Sequence, residues 1–358
     1  MVALSSELVA VALFLLGVTL VIVSVETFIE AVAEGALALG VSGFFLTVVL
    51  AGTDLENAIL GIAAAFGGLP DLALGTVFGE ALFILGAAVG IAGVLVPFET
   101  EVPRSYLALV VCSPALFFVL AFDGTLSRLD GAILTAMFVP FLAVVYGLER
   151  RSETRYLSAE EIELMEEEGR TEPVETDDET AGEPHDEWLD FDVDLDFDVD
   201  DYVEEHVPER YEGPAYVGVA VLAAVGMTIG SELAVTGART LLVVLGVTGL
   251  AFGATVMSFI ASLEELFLTV EPVRQGRAHL GVGNVVGSML FFVSANAGVV
   301  ALVHPVDTTG AVFLVHWPFF LLSLLVVAVA FARGKVDRAT GVVLLGIYAA
   351  YWGANYLL

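Results

Sequence analysis

Residues 69–80 read LPDLALGTVFGE and residues 277–288 read RAHLGVGNVVGS, and the two stretches are copies of one another. They sit inside a longer repeat. Gly52–Pro97 and Ile260–Pro305, aligned without a gap at an offset of 208, agree at 13 of 46 positions. The matches are Leu55/Leu263, Glu56/Glu264, Leu60/Leu268, Gly68/Gly276, Leu72/Leu280, Gly75/Gly283, Val77/Val285, Gly79/Gly287, Leu82/Leu290, Phe83/Phe291, Ala87/Ala295, Gly90/Gly298 and Pro97/Pro305. Each copy carries carboxylates in the middle of an apolar helix. Ionisable groups at membrane depth are costly to hold, so a functional reading is the default. Duplicated bundles of this kind build secondary transporters, with the binding site where the repeats meet.

Composition sets the class. The chain is 58% hydrophobic with a mean hydropathy of +0.88, too apolar for a soluble domain of this length. Ten apolar stretches are long enough to span a bilayer, near 3–25, 37–66, 70–96, 105–122, 129–148, 214–235, 239–271, 278–303, 310–332 and 339–357. The first lacks a basic n-region and a small-residue cleavage site, so it reads as a retained helix. The single Cys112 rules out an intramolecular disulfide.

Basic residues orient these spans. If the polar segment after span 5 is cytoplasmic, Arg104, Arg150, Arg151, Arg155, Arg170, Arg210, Arg274, Arg277, Arg333, Lys335 and Arg338 lie inside, and only Arg128 and Arg239 lie outside. Both termini are then outside, with five spans on each side of the segment. An odd number of spans per half inverts the second half. The expected fold is an all-α membrane protein of ten transmembrane helices in two inverted five-helix repeats. The halves are 1–148, with the repeated unit at about 39–97, and 214–358, with its copy at about 245–305.

Between them, 149–213 is acidic. Residues 152–213 hold 26 acidic side chains against three arginines, which accounts for most of the net charge of −32. Such a segment buries too little apolar area to fold alone and is expected to be largely disordered and cytoplasmic. Its most patterned part, Asp190–Asp201, alternates aspartate with apolar residues. It reads either as a Ca²⁺ sensor or as a solvated acidic loop, and lacks the glycine spacing of a calcium-binding loop. One lysine beside 45 acidic residues suggests a high-salt, haloarchaeal cytoplasm, where acidic surfaces keep proteins soluble.

The candidate chemistry lies in four helices. Thr53, Asp54, Glu56 and Asn57 fall in span 2, and Ser258, Ser262, Glu264 and Glu265 in the matching part of span 7. A dehydrated Ca²⁺ needs six to eight oxygens, which carboxylates, hydroxyls, amides and carbonyls freed at a helix break can supply. Neighbouring acids point to different faces of a regular helix, so Asp54 with Glu56, or Glu264 with Glu265, share one site only where the helix unwinds. Spans 3 and 8 contribute Glu80, Asn284 and Ser288. Glu80 and Ser288 correspond, each following a glycine, and a glutamate facing lipid would be expensive.

These segments resemble the two α-repeats of the Ca²⁺/cation antiporter superfamily, whose best-known members are the Na⁺/Ca²⁺ exchangers. The resemblance covers both repeats, and the ten-span layout with an acidic central loop is similar too. It implies an alternating-access antiporter moving Na⁺ one way and Ca²⁺ the other, with spans 1 and 6 sliding across a fixed core. The family pattern is close to Gly-Thr-Ser-Leu-Pro-Glu, ending in the principal Ca²⁺ ligand. Here Asn57 stands at that glutamate in the first copy and Glu265 keeps it in the second. Glu56 and Glu264 replace the proline, which weakens the case for a preformed break, above all in span 7. The second helices usually carry Gly-Asn-x-x-Gly-Ser-Asn-x-x-Asn. Asn284 and Ser288 agree, whereas Thr76, Glu80, Ala81, Ile84, Met289 and Phe292 depart.

Among other polar residues, Glu26, Glu30 and Glu34 share a face at the end of span 1 and read as a solvated helix end or an acidic vestibule. Glu232 serves the other mouth or pairs with Arg239. His304 and His316 read as membrane-edge residues, and Trp317, Trp352 and Tyr356 as an aromatic belt. The leading reading is a multi-pass cell-membrane cation antiporter coupling Na⁺ to Ca²⁺. Its partners are inorganic cations and the lipid bilayer, with no nucleic acid and no resident cofactor, since Na⁺ and Ca²⁺ are substrates. A proton-coupled variant, an intramembrane enzyme using paired acids, and a transport-dead relative acting through the acidic loop stand as alternatives. No aspartyl-protease, prenyl-phosphate or His-rich metal motif supports the enzyme.

Overall fold

The computed structural model describes residues 2–38, 55–150 and 212–357, with Val203 and Val207. The acidic stretch of 149–213, including Asp190–Asp201, therefore lies almost wholly outside the described residues, as do Thr53 and Asp54. The described chain is helical, and each expected span corresponds to a helix: α1 Val2–Ala38, α2 Leu55–Phe66, α3 Pro70–Leu95, α4 Arg104–Ala121, α5 Arg128–Glu149, α6 Glu212–Leu245, α7 in two arms (Gly249–Ala261 and Leu263–Arg274), α8 Ala278–Val303, α9 Val312–Ala332 and α10 Arg338–Leu357. The first part of the second expected span, before Leu55, is outside the described residues.

Three boundaries move. The first span was expected to end near 25, but α1 runs on to Ala38. The sixth span was expected to end near 235, but α6 runs on to Leu245: Gly237 stays helical, packed against the α1 backbone at Phe14, and the chain turns only at Gly246, φ +66°. Arg239 thus stands inside α6, seven residues from Glu232. That separation is about 10 Å along a helix, and no ion pair joins the two among the described residues. Span 7 then starts at Gly249, where Thr248 caps the helix by accepting the Ala251 N–H at 3.1 Å.

The repeat seen in sequence is also a repeat of backbone detail. The α2–α3 and α7–α8 hairpins turn at matched glycines, Gly68 with φ +74° and Gly276 with φ +77°, a conformation that Cβ-bearing residues resist. A wide π turn occupies Phe83–Ala88 in α3 and Phe291–Asn296 in α8, again at the offset of 208. Gly90 on α3 meets Gly341 on α10, and Gly298 on α8 meets Gly131 on α5. A Cβ at Gly341 would lie 2.6 Å from the Gly90 carbonyl oxygen, and one at Gly131 would lie 2.6 Å from that of Gly298. Small residues permit this close approach where lipid offers no hydrophobic drive to pack helices.

Two short antiparallel ladders close the ends. β1 (Phe98–Glu99) pairs with β4 (Lys335–Val336), and β2 (Thr125–Leu126) pairs with β3 (Val306–Asp307). One helix separates β1 from β2, and one separates β3 from β4, so the ladders lie at opposite ends of the bundle. Each joins a loop of the first half to a loop of the second, as two inverted halves require. α3 and α8 form the buried centre, while α1 and α6 pack chiefly on each other along Gly17, Gly226, Gly230 and Gly237.

Two side chains depart from their expected surroundings. His316 and Trp317 are buried within the bundle. His316 Nδ1 lies 2.7 Å from the Tyr351 hydroxyl, and its ring lies 5.2 Å from that of Phe78. Trp317 packs among Phe78, Phe117, Phe118 and Phe320. Aromatic density inside the bundle, not an interfacial belt, holds them. Tyr356 is half exposed, with its hydroxyl 2.6 Å from Thr255 Oγ1.

Candidate functional site

Span 7 is broken. Its arms meet at 50° around Ser262, whose backbone (φ −97°, ψ 16°) leaves the helix. No proline is needed. The wide turn at Gly253–Met257 has already shifted the hydrogen-bond ladder of the first arm. Ser262 ends that arm, and Glu264 and Glu265 occupy the first turn of the second. The break that the missing proline made less expected in span 7 is therefore present. Carboxylates at the start of a helix also face the positive end of its dipole.

Glu265 is the best-supported carboxylate. It is 5% exposed. Its Oε2 accepts from Asn284 Nδ2 at 2.6 Å, and Ser288 Oγ lies 3.2 Å from both carboxylate oxygens. Asn284 also reaches Thr269 Oγ1 at 3.3 Å. Asn284 and Ser288 are four residues apart on α8, hence on one face. The α7–α8 hairpin thus cradles Glu265 with its own polar stripe.

Two contacts then cross between repeats. Asn57 on α2 is fully buried and donates to Ser262 Oγ, at the break in α7, at 3.0 Å. Asn296 on α8 donates to Glu80 Oε2 on α3 at 2.8 Å, with both side chains buried. Gly61 on α2 packs near Thr76 Oγ1 and Asn296 Oδ1, and Gly79 on α3 packs against Ser258 on α7. The glycines let these polar helices approach closely.

Of the expected residues, Glu265, Asn284 and Ser288 form one cluster, Asn57 and Ser262 a second, and Glu80 joins Asn296 in a third. Glu56 is buried in the first turn of α2. Its repeat mate Glu264 is half-buried, so adjacent Glu264 and Glu265 do face different surroundings. Asp54 and Thr53 lie outside the described residues. Sequence reasoning missed Asn296, Thr269 and Thr76. Asn296 alone had a legible signal, an amide within the apolar run Phe291–Val303. The buried charged side chains among the described residues, Glu56, Glu80 and Glu265, are all acidic. Such a constellation attracts cations.

The sodium/calcium exchanger protein family matches residues 9–147 and 215–357, well over half of the chain. The chain belongs to that family. Over 360 residues this exchanger-family chain is 25% identical to inner membrane protein YrbG of Escherichia coli (strain K12), covering 98% of each. It is 27% identical over 348 residues to sodium/calcium exchanger MaX1 of Methanosarcina acetivorans, covering 95% of this chain and 96% of the relative. Its fold matches that of the sodium-calcium exchanger NCX_Mj, with a TM-score of 0.54 and 19% identity over 96% of this chain and 97% of that one. Membership makes it a multi-pass membrane cation antiporter and not an enzyme.

Proposed function

We propose that this antiporter exchanges Na⁺ for Ca²⁺ by alternating access, through a midplane site built around Glu265. The observation that carries this reading is the cradle itself: a buried carboxylate at a broken span, held by an amide and a hydroxyl from the facing helix. Ca²⁺ takes six to eight oxygens in flexible geometry. Glu265, Ser288 and Ser262 offer oxygens directly, and Asn284 does so once its amide turns to present Oδ1. Glu56, Glu80, Glu264 and Asn57, with Asp54 and Thr53, complete the proposed set. The pairing of α1 with α6 supports their moving as a unit across the core of α2, α3, α7 and α8. We place the acidic segment 149–213 on the cytoplasmic side, as a loop dispensable for transport, between halves 1–148 and 214–358.

Proton coupling is the second reading, favoured by Glu80 standing fully buried where the family pattern has serine. A carboxyl there can trade a proton for an ion, and nearby carboxylates shift one another's titration. The test is Ca²⁺ uptake into proteoliposomes in high salt under an imposed Na⁺ gradient. Wild type and a loop deletion should both transport. Glu265→Gln should lose at least roughly tenfold in Ca²⁺ affinity, as expected when a charged ligand becomes neutral, while still inserting and folding. Unchanged affinity in Glu265→Gln would sink the site. Uptake driven only by a pH gradient would favour the proton-coupled reading.

A further inference from the structure

Where α9 ends and α10 begins, a groove of about 290 Å³ has a floor of Leu325, Val326, Val329 and Ala330 and a mouth formed by Arg333 and Lys335. Leu325 and Val329 are 59% and 45% exposed on the outward flank of α9, so the groove opens toward the bilayer. Arg333 makes neither an ion pair nor a side-chain hydrogen bond among the described residues. Lys335 Nζ stands 3.9 Å from Asp337 Oδ2 and faces Glu99 across the β1–β4 ladder. Asp337 also accepts, through Oδ1, the Thr340 N–H at 2.9 Å and hydroxyl at 2.8 Å, and those bonds, with the nearby Lys335 and Arg333, hold its carboxyl below the usual range. Arg338, at the start of α10, is also exposed.

We propose that this groove binds a phospholipid with an anionic headgroup, one acyl chain lying along the apolar floor and the phosphate at Arg333 and Lys335. Only lipid tails are available at that flank, and a guanidinium pairs with phosphate oxygens in a fork that matches their geometry. Basic pockets between membrane helices select anionic headgroups. The site also has structural leverage. Lys335 belongs to β4, whose partner β1 follows the end of α3, the helix carrying Glu80. A lipid seated there ties α9 and α10 to the end of the transport core.

The test titrates the full chain in neutral detergent with short-chain phosphatidylglycerol, phosphatidylcholine or inorganic phosphate, reading bound lipid by native mass spectrometry and thermal stability in parallel. Phosphatidylglycerol should bind tighter and raise the melting temperature. Arg333→Gln with Lys335→Gln should weaken it on the order of twentyfold, at roughly a factor of five per basic side chain. Val329→Trp, which fills the groove without touching a charge, should block it as well, and Arg128→Gln at the opposite ladder should not. Equal binding of both lipids, displacement of the glycerolipid by inorganic phosphate, or an unchanged preference in the double variant would each overturn the proposal.

Discussion

Asn296 donates to a carboxylate on the other repeat, and its position explains why the two copies of this protein are not interchangeable. Its repeat mate is Ala88, while the mate of Glu80 is Ser288. The Glu80–Asn296 contact therefore has no symmetric twin. Replacing Asn296 with Leu keeps the volume but removes a donor to a buried carboxylate, a change that costs about 1–3 kcal/mol. Denaturation of the purified variant should show that loss, and Glu80→Gln added to Asn296→Leu should recover part of it, since a neutral amide tolerates burial better. Full additivity of the two changes would show that the contact has no energetic weight. The clustering of Glu265, Asn284 and Ser288 was legible because each is polar within an apolar helix. Which of Glu264 and Glu265 turns inward was not, because the answer depends on the bend at Ser262.

The elements that shape the site are irregular helices. Wide turns at Phe83–Ala88 and Phe291–Asn296 add a residue to the hydrogen-bonded ring, and such turns concentrate at functional sites. Just beyond each, a glycine lets α10 or α5 touch the buried helix backbone to backbone. Gly90→Val and Gly298→Val would drive a side chain into Leu345 and Gly341, or into Thr135 and Gly131. Each is expected to cost about 1–3 kcal/mol through overpacking. Thermal unfolding should report the larger loss for Gly298→Val, whose Cβ would lie 2.5 Å from the Thr135 backbone nitrogen, whereas the Cβ at Gly90 meets the flexible end of Leu345 at 3.0 Å. Gly147, which meets nothing within 4 Å, should accept the same substitution with little change. A larger effect at Gly90 than at Gly298 would argue against these contacts. The matched glycines showed in sequence, but the broken span 7 did not, since its break is made by backbone irregularity and not by proline.

At the scale of the whole molecule, the ladders make the inverted topology testable. Single cysteines replacing Glu99 or Lys335, and others replacing Thr125 or Asp307, are introduced after Cys112, which is exposed, has been changed to alanine. An impermeant thiol reagent added to one side of sealed vesicles should label one pair and spare the other. Glu99→Cys and Thr125→Cys labelled from the same side would contradict two inverted halves. The charge bias predicts further that the Glu99 and Lys335 pair is cytoplasmic. Inverted symmetry puts chemically different copies of one segment at a shared centre, and the cross-repeat contacts of Asn57 with Ser262 and of Glu80 with Asn296 arise there.

By itself the sequence determined the membrane class, the ten-span inverted repeat and the acid-rich centre. Each rests on composition or on identities at a constant spacing, which survive without knowledge of contacts. Tertiary structure alone decided that span 7 breaks at Ser262, that Asn296 serves Glu80 across the repeats, and that His316 and Trp317 belong to the interior. It also decided where α6 gives way to α7. These outcomes depend on how helices bend and which faces meet, and residues far apart in the chain settle both through packing.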